Sequence, residues 1–515
     1  MTTVQGRKGL GAIATRGAAV TFSGQIIRIT VQLAGIVLLA RLLSPVDYGV
    51  TTMVIAIIGV GEILRDFGLS SAAIQAKTLS VGQRANLFWI NVGIGGALTL
   101  VVAALAVPIA AFYDDDRLIA ITLVLSSTFL FNGIATQYRA DLNRRFRFGQ
   151  LAGLEIFAQV VALGVALMLA LWGWGYWALV AQQVLQALLQ VLVLPFIGGW
   201  WPGLPKRGEQ MKPLLTFGGG LVGAQVLNYA SRNVDSLVIG RMFGAQSLGF
   251  YNRAFQLMLL PLNQINAPST RVALPTLSRL QEQPARYGEF IAFGQTIMLN
   301  LVSFVLAISV AQAPAVIAIS LGPQWGPSVP IFQILAVAGF FQAAAYSTYW
   351  VFLSQGLTTP YLWYTVATRP LVIALIIAGS IWGVNGVAVA YAVGAALMWP
   401  VGCVWIARCS TAPVRRLFLN GLRILVVYGL AAGASFAATI AIPEELALMR
   451  ILVGFAALVG ALGLAALVFP PFRRDLTGML SARRFFGRAG KTRAPAVETV
   501  QAETSDHPDA PLEDR

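Results

Sequence analysis

Long apolar runs separated by short polar segments fill this chain as far as about position 470. A helix of about 20 apolar residues crosses the hydrocarbon core of a bilayer. The runs therefore predict an all-α polytopic membrane protein. We place fourteen spans, at 17–40, 46–70, 85–111, 118–138, 150–171, 176–198, 214–239, 246–268, 289–312, 329–353, 360–381, 386–407, 419–440 and 448–470.

The composition supports this interpretation. Apolar residues make up 57% of the chain and charged residues 11%, and the mean hydropathy is +0.73, which is too apolar for a soluble domain. A net charge of +15 is also found in nucleic-acid-binding proteins, but here the basic residues follow the predicted loops, so no nucleic-acid partner is expected. The first apolar run has the length of a full span, and no small-residue cleavage site follows it, so we interpret it as a helix and not as a signal peptide.

The basic residues lie almost entirely in alternate loops. On one side of the membrane the loops carry only four, Arg41, Arg117, Arg241 and Arg450, whereas the other side carries clusters such as the one at 139–147. Cytoplasmic loops are the ones that are enriched in Lys and Arg. We therefore predict a multi-pass protein of the plasma membrane, in bacteria the inner membrane, with both termini in the cytoplasm.

One twelve-residue segment occurs twice. LARLLSPVDYGV at Leu39–Val50 returns 200 positions later as IGRMFGAQSLGF at Ile239–Phe250, with arginine third and glycine eleventh in both copies. Six predicted spans lie between the copies, so both copies have the same orientation in the membrane. This indicates a parallel repeat about an axis along the membrane normal, a pattern that is typical of transporters.

The first copy has the residues of a capped helix start. Ser44 is suited to cap the second span, Pro45 fits its first turn, and Asp47 completes a capping box. In the second copy, Gly244 and Gly249 predict a similar turn without the cap. We therefore predict two tight hairpins at the outer surface. Structure alone explains these residues, so we expect no direct contact with substrate.

The spans and the repeat divide the chain into six parts. The tail begins with a basic segment that contains interleaved phenylalanines and ends in Pro, Ala, Asp and Glu, which predicts a membrane-surface segment followed by disorder. The parts are a cytoplasmic segment at 1–16, an N-terminal six-helix bundle at 17–198, a cytoplasmic linker at 199–213, a C-terminal six-helix bundle at 214–407, helices 13 and 14 at 408–470, and a cytoplasmic tail at 471–515.

Four motifs carry a family resemblance: ARLLSPVDYGV, LRDFGLSSAAIQ at Leu64–Gln75, NRRFRF at Asn143–Phe148, and DSLVIGRMFGAQSLGFYNRAFQLMLLP at Asp235–Pro261. In them the chain resembles the polysaccharide transporter (oligosaccharide flippase) family of the multidrug/oligosaccharidyl-lipid/polysaccharide exporter superfamily. The resemblance implies two six-helix bundles that face each other across a central cavity, and two further helices.

The resemblance also implies a function. Such a protein moves a lipid-linked glycan of the polyprenyl diphosphate type from the cytoplasmic to the outer leaflet by alternating access. The glycan is a precursor of exopolysaccharide, capsule or lipopolysaccharide. The implied partners are membrane lipids and the glycan polymerase and glycosyltransferases of the same pathway, and no cofactor is expected.

A flippase for an anionic head group needs cations inside the membrane, where each costs on the order of 3 kcal/mol. Arginine offers a two-pronged fork that matches phosphate oxygens. The candidates for substrate binding are Arg28, Arg65, Arg253 and Arg369. Related flippases of lipid-linked precursors have cavity arginines on their first, second and eighth helices, so the resemblance implies this role for the first three.

Two of these arginines have no acid within helical range. Arg253 lies two turns into the eighth span and is the strongest candidate. Arg369 precedes Pro370, which predicts a break in the eleventh helix. Arg28 lies in the cytoplasmic half of the first span, from which its side chain either reaches a cavity or extends toward the head groups.

Local ion pairs offer an alternative for the other intramembrane arginines. Glu62 lies three residues before Arg65, and Asp235 three residues after Arg232, so each pair shares a helical face. We expect both pairs to form. Asp235 and Glu62 are also the candidates for ion coupling, because they are carboxylates within spans.

Glutamines form a polar stripe on the sixth span, where Gln182, Gln186 and Gln190 recur at four-residue intervals. Gln182 and Gln186 are candidates for binding sugar hydroxyls. The alternative is hydrogen bonding between helices, which is the usual role of such stripes.

Two other function classes compete with a flippase. A multidrug-type cation-coupled extruder of the same superfamily would favour carboxylates over unpaired arginines in its cavity. A membrane glycan polymerase or ligase would need a sizeable outer domain with catalytic acids or histidine. The outer loops here are short and His507, in the tail, is the single histidine, so we do not expect an enzyme.

Overall fold

The computed structural model describes residues 24–66, 73, 79–209 and 211–489. Within these ranges the chain forms helices and short 3-10 turns, and no strand occurs in them. Eleven helical stretches of the described chain are long and apolar enough to cross a membrane. The predicted all-α polytopic membrane fold is therefore confirmed. The predicted segment 1–16 and the start of the first span lie outside the described residues.

The helices follow the predicted spans to within a few residues at most boundaries, because apolar runs and helices end at the same polar, glycine or proline positions. In chain order the helices of the described chain are α1 Gly24–Leu42, α2 Pro45–Asp66, α3 Val81–Ala104, α4 Ala106–Tyr113, α5 Arg117–Arg144, α6 Phe148–Leu171, α7 Trp177–Gly198, α8 Lys212–Arg279, α9 Pro284–Ala311, α10 Ala313–Ser320, α11 Ser328–Ser354, α12 Thr358–Gly379, α13 Gly383–Cys409, α14 Val414–Thr439, α15 Ala447–Val468 and α16 Pro470–Ala489.

The eleven apolar stretches do not map one to one onto helices. α12 and α13 form a single stretch, Thr358–Cys409, because only the 3-10 turn Ser380–Trp382 separates them. α8 is not among the eleven. The predicted total of fourteen spans and the predicted bundles at 17–198 and 214–407 stay predictions.

α8 is a long helix with a sharp kink at Gly244. The backbone there has φ 76° and ψ −179°, a conformation that only glycine adopts readily. The kink divides α8 into an N-terminal arm, 212–243, and a C-terminal arm, 245–279, where the sequence predicted a turn. The C-terminal arm extends to Arg279, beyond the predicted end at 268. Pro268 and Pro275 lie within it and do not end the helix, since membrane helices tolerate proline where neighbouring groups satisfy the freed backbone.

The predicted capping box begins α2. The Ser44 hydroxyl donates to Asp47 Oδ2 at 2.6 Å, and the Ser44 backbone N–H donates to the same oxygen at 2.8 Å. In return, the Asp47 backbone N–H donates to Ser44 Oγ at 3.2 Å. These bonds satisfy donors that a helix start otherwise leaves open, so the tight turn between α1 and α2 is confirmed.

The two copies of the repeat contact each other through their backbones. A Cβ atom on Gly49 would overlap the carbonyl of Ala245, and one on Gly249 would overlap the carbonyl of Pro45. The two contacts are reciprocal, since Pro45 and Ala245 are themselves 200 positions apart. α2 and the C-terminal arm of α8 therefore pack without side chains between them. We call these two contacts the glycine seal.

The 3-10 turn Pro323–Trp325, which precedes α11, packs beside the glycine seal on the predicted outer side. Trp325 packs edge-on against Tyr48 and Phe250, whose ring centroids lie 5.5 and 6.0 Å away. Its indole N–H donates to the carbonyl of Ala40 at 2.8 Å, and Gln324 donates to the same oxygen at 2.9 Å. One buried tryptophan thus contacts both copies of the repeat.

From Leu464 to the end of the described chain at Ala489, the residues form a second compact unit. In it, α16 places Phe472, Leu476 and Met479 along one face, while Arg473 and Arg474 are exposed. The basic segment of the predicted tail is therefore an amphipathic helix. The predicted disordered end, from residue 490, lies outside the described residues.

We predict that Gly49→Ala lowers the stability of the folded protein. The added methyl group would overlap the backbone of Ala245, and overpacking of this kind costs about 1–3 kcal/mol. The measurement is thermal unfolding of the purified protein in detergent.

Gly93→Ala on α3 is the matched control for this substitution, because nothing lies within 4 Å of a Cβ atom built there. The control should unfold at the wild-type temperature or slightly above it, since alanine favours the helix. Equal melting temperatures for the two variants would show that α2 and α8 do not need their backbone contact.

Candidate functional site

A cavity of about 270 Å³ lies between α1, α2, α6, α7 and the C-terminal arm of α8. It lies beside the glycine seal, because Tyr48 lines it and Gly49 follows directly in the chain. Arg253 is the one charged side chain among its described lining residues. The other polar lining residues are Gln32, Tyr48, Thr51, Thr52, Gln159, Gln182, Gln183, Asn252 and Gln256.

Arg253 is buried in the membrane-spanning region, and the described part of the chain gives it no acidic partner. Its guanidinium lies over the ring of Tyr48, 4.0 Å from the centroid, and its Nη2 donates to Asn252 Oδ1 at 3.4 Å. Its Nε is buried and makes no hydrogen bond within the described part of the chain. A cation–π contact and one long hydrogen bond leave most of this cation's hydrogen-bonding capacity unused.

Amide side chains surround this arginine. Gln182 lines the cavity from α7, as the sequence predicted for a sugar-binding candidate, and Gln256 donates to Asn252 Oδ1 at 3.1 Å. Amides offer both donors and acceptors, so they suit hydroxyl groups and phosphate oxygens alike. The arrangement favours a polar, anionic guest.

Gln186, the other sugar-binding candidate, does not line the cavity. It lies one helical turn from Gln182 toward Gln190, and Gln190 accepts a hydrogen bond from Arg139. The glutamine stripe therefore serves two purposes, with its first residue on the cavity and its third bonded to another helix.

Arg28 lies one helical turn from the cavity, four residues before Gln32 on α1. Its Nη1 is 3.5 Å from Glu155 Oε2 on α6, and Glu155 is four residues from Gln159, which also lines the cavity. Both partners are partly exposed, 48% for Arg28 and 32% for Glu155. Arg28 itself does not line the cavity, and local sequence did not indicate this partner, so its role in substrate binding stays a prediction.

Arg65 forms the predicted ion pair with Glu62. Its Nε is 2.8 Å from Glu62 Oε2, and its Nη1 donates to Thr136 Oγ1 and to the carbonyl of Asn132. Glu62 also accepts from Asn132 Nδ2 at 3.0 Å. These contacts join α2 to α5, and Arg65 does not line the cavity.

The predicted pairing of Asp235 with Arg232 is wrong. Buried Asp235 accepts instead from the Tyr251 hydroxyl at 2.7 Å and from the Ser236 backbone N–H at 2.8 Å, while Arg232 is exposed. No ion pair between the two occurs in the described chain. The kink at Gly244 folds the C-terminal arm back, which gives Asp235 a closer partner than its neighbour three residues away.

Arg369 lies away from the cavity, on α12. Its electrostatic neighbours are Tyr364 and Tyr391, and the hydroxyl of Tyr391 accepts from Gln342. The break predicted at Pro370 does not occur, since α12 runs through it from Thr358 to Gly379. Neighbouring helices and side chains compensate for a proline in a membrane helix.

Arg139, which the sequence predicted to lie in a cytoplasmic cluster, is half-buried near the C-terminal end of α5. Its Nη2 donates to Gln190 Oε1, and its Nε is buried without a hydrogen-bond partner in the described chain. The nearest signal in the sequence was the polar stripe that ends in Gln190. It indicated that α7 bonds to a neighbour, but not to which one.

The comparisons with known proteins agree with this geometry. Residues 38–330, more than half of the chain, match the family described as polysaccharide biosynthesis protein. The teichuronic acid biosynthesis protein TuaB of Bacillus subtilis is 30% identical over 301 residues, which are 57% of this chain and 62% of TuaB. The alignment thus spans less than two thirds of that relative.

Two further relatives are similar over comparable lengths. The lipopolysaccharide biosynthesis protein WzxC of Escherichia coli is 24% identical over 64% of this chain and 67% of its own length. The succinoglycan biosynthesis transport protein ExoT of Rhizobium meliloti is 22% identical over 58% of this chain and 61% of its own length.

Solved structures define the fold. The lipid II flippase MurJ in an inward closed conformation has a TM-score of 0.67 at 14% identity and covers 90% of this chain and 100% of its own. An inward-facing multidrug resistance MATE family transporter of the MOP superfamily has a TM-score of 0.57 at 14% identity, over 78% of this chain and 98% of its own. Because the family description matches more than half of the chain, this protein belongs to the polysaccharide biosynthesis protein family, and it has the fold of these polytopic transporters.

Proposed function

We propose that this protein is a flippase that moves a lipid-linked oligosaccharide or polysaccharide precursor from the cytoplasmic to the outer leaflet, in the biosynthesis of a cell-surface polysaccharide. The observation that carries the proposal is Arg253, a buried cation without an acidic partner on the wall of a cavity. A buried charge of this kind is costly, so its presence favours a ligand that neutralises it.

The charge of the cavity distinguishes the two transporter classes. Its described lining contains one arginine, six amide side chains and no carboxylate. A diphosphate head group is attracted to the arginine, and its oxygens and the attached sugar find hydrogen-bond partners in the amides. A cation extruder would need an acid at this place, so the cavity favours an anionic substrate.

The glycine seal supports alternating access. It closes the side of the cavity on which the two hairpins meet, and a substrate leaves on that side only if the seal separates. At Gly49 and Gly249 the contact is between backbones, so opening there needs no change of side-chain rotamer, whereas Trp325 has to release one of the two copies. TuaB, WzxC and ExoT are named for the biosynthesis of teichuronic acid, lipopolysaccharide and succinoglycan, and ExoT also for transport, which agrees with this proposal.

We assign ion coupling to Asp235 in preference to Glu62. Glu62 is held by Arg65 and Asn132, whereas Asp235 is buried with a tyrosine and a backbone N–H as its partners. A carboxylate without a cation is free to bind one. Asp235 lies on the N-terminal arm of α8, but its partner Tyr251 lies on the C-terminal arm, which also carries Arg253. This contact links ion binding to the part of the helix that holds the substrate.

The remaining parts of the proposal follow from this function. The protein lies in the bacterial inner membrane with both termini in the cytoplasm. It acts as a transporter and not as an enzyme, and it works beside the glycan polymerase and the glycosyltransferases of its pathway.

We predict that Arg253→Ala abolishes glycan export, because the cavity loses its single positive charge. Arg253→Lys should retain part of the activity, since it keeps the charge but not the fork. Export is measured as surface polysaccharide in a strain that depends on this gene. Arg241→Ala is the matched control, because Arg241 lies on the same helix and is exposed. Normal export by a stably expressed Arg253→Ala variant would remove Arg253 from the site.

We predict opposite stability effects for two arginines. Arg253→Met should leave the melting temperature unchanged or raise it, because it removes a buried charge that has no acidic partner. Arg65→Met should lower it, since half-buried Glu62 and buried Thr136 lose the donor that satisfies them, at a cost of about 1–3 kcal/mol. Thermal unfolding in detergent measures both. A larger loss for Arg253→Met would make that arginine a structural residue.

We predict that reporter fusions at Asp115 and Glu445 behave as outside the cell, and that fusions in the tail behave as inside. The reason is the distribution of basic residues between alternate loops. Paired alkaline phosphatase and fluorescent protein fusions measure the orientation. The reverse pattern would show that the assigned orientation is wrong, and with it the proposed direction of transport.

A further inference from the structure

A second set of charges lies one helical turn from the cavity lining, at the predicted cytoplasmic end, which we interpret as the mouth of the cavity. Arg28 on α1 and Glu155 on α6 each lie one helical turn from a cavity glutamine, Gln32 and Gln159, on the predicted cytoplasmic side. Arg139 on α5 joins them, and Glu155 exerts the largest electrostatic effect on it among the charged groups nearby. We call Arg28, Arg139 and Glu155 the mouth cluster.

The ion pair in the mouth cluster is weakly held. Arg28 and Glu155 make one contact of 3.5 Å, between Nη1 and Oε2, and both side chains are partly exposed. An arginine and a carboxylate in their best geometry make two parallel hydrogen bonds of less than 3 Å. Most donors of Arg28 and one oxygen of Glu155 are therefore left to solvent.

Arg139 also has hydrogen-bond donors that are not all used. Gln190 accepts from its Nη2, but its buried Nε has no partner among the described residues. Buried donors are normally satisfied, and an exception indicates strain or a missing acceptor. The mouth cluster thus combines two arginines with one carboxylate, which leaves one positive charge uncompensated.

We propose that Glu155 is a placeholder anion, which occupies the site that the phosphate groups of an entering substrate take and is displaced from Arg28 when they arrive. This inference rests on the proposed function and deepens it. A diphosphate carries more charge and more acceptor oxygens than a carboxylate, so it offers Arg28 a better partner than Glu155, which makes a single contact of 3.5 Å with it.

The placeholder makes the mouth selective. A neutral lipid cannot displace Glu155, and a single carboxylate gains no more from Arg28 than Glu155 already does. Only an anion of higher charge has a net gain. From the mouth cluster, Gln32 and Gln159 lead one turn further into the cavity, toward Arg253. Glu155 is therefore a residue that determines specificity without binding the substrate itself.

The test compares binding of two probes to the full-length protein in detergent, undecaprenyl diphosphate and the uncharged undecaprenol. Glu155→Gln should bind the diphosphate about fivefold more tightly, the gain expected when a competing, partly exposed ion pair is removed. Its affinity for undecaprenol should not change. Glu289→Gln is the matched control, because it removes an exposed carboxylate from the predicted cytoplasmic side of α9.

A double variant separates displacement from a structural role. In the background of Arg28→Ala, Glu155→Gln should give no gain, because there is no longer a site for which carboxylate and phosphate compete. A loss of fold would instead weaken binding of both probes in every background. Glu155→Ala serves as a second variant if Glu155→Gln does not elute as a single species in gel filtration.

The outcomes distinguish this inference from the function on which it rests. If the wild type binds the diphosphate no better than the alcohol, the proposed function fails, and the placeholder with it. If the wild type prefers the diphosphate but Glu155→Gln binds it equally or less tightly, the placeholder alone is overturned. A fivefold gain in both Glu155→Gln and Glu289→Gln would also overturn it, since the effect would then be one of general charge.

Discussion

The contacts of Gly49 and Gly249 with the opposite backbone determine how closely α2 approaches the C-terminal arm of α8. Because no side chain lies between the helices at these two positions, the residues next to them are brought together. Tyr48 and Arg253, which are far apart in sequence, meet in a cation–π contact of 4.0 Å as a consequence. The cavity is the space that remains beside this contact, and its position follows from the glycines.

The two copies of the repeat make reciprocal backbone contacts, whereas the residues that line the cavity differ between the two halves of the chain. At the 200-residue offset, Tyr48 corresponds to Leu248 and Arg253 to buried Met53. The aromatic ring and the cation therefore come from opposite copies, and neither copy contains both. If the two halves were identical, both would contain the tyrosine and the arginine, or neither would. The unequal copies instead produce one cation that faces the opposite copy.

Sequence reasoning succeeded where the cause of a structure is local. The spans follow from apolar runs, the cap of α2 from Ser44 and Asp47, and the pairing of Arg65 with Glu62 from their spacing on one helical turn. It failed where the partner comes from another element. Tyr251 reaches Asp235 because the chain kinks at Gly244, and no spacing rule gives that kink its direction.

The same distinction applies to the site. Arg253 was predicted because it has no acid in helical range, which is a local property that the tertiary structure preserves. The partner of Arg28 depends on how α1 packs on α6, and the partner of Arg139 on how α5 packs on α7, so spacing along a single sequence identifies neither. Helix packing in membranes relies on many small contacts of similar strength, which leaves few distinctive sequence signals.

The arginines of this protein differ above all in how completely their donors are satisfied. Arg65 has an acid and two oxygen partners and therefore fastens two helices. Arg28 has one long contact, and Arg253 has a ring and one long hydrogen bond. A transporter needs this gradation, because a cation with strong permanent partners cannot exchange them for a passing anion. Incomplete satisfaction costs stability in the empty state, and in the proposed function the bound head group recovers that cost, so the least satisfied arginine is the place where binding would change the protein most.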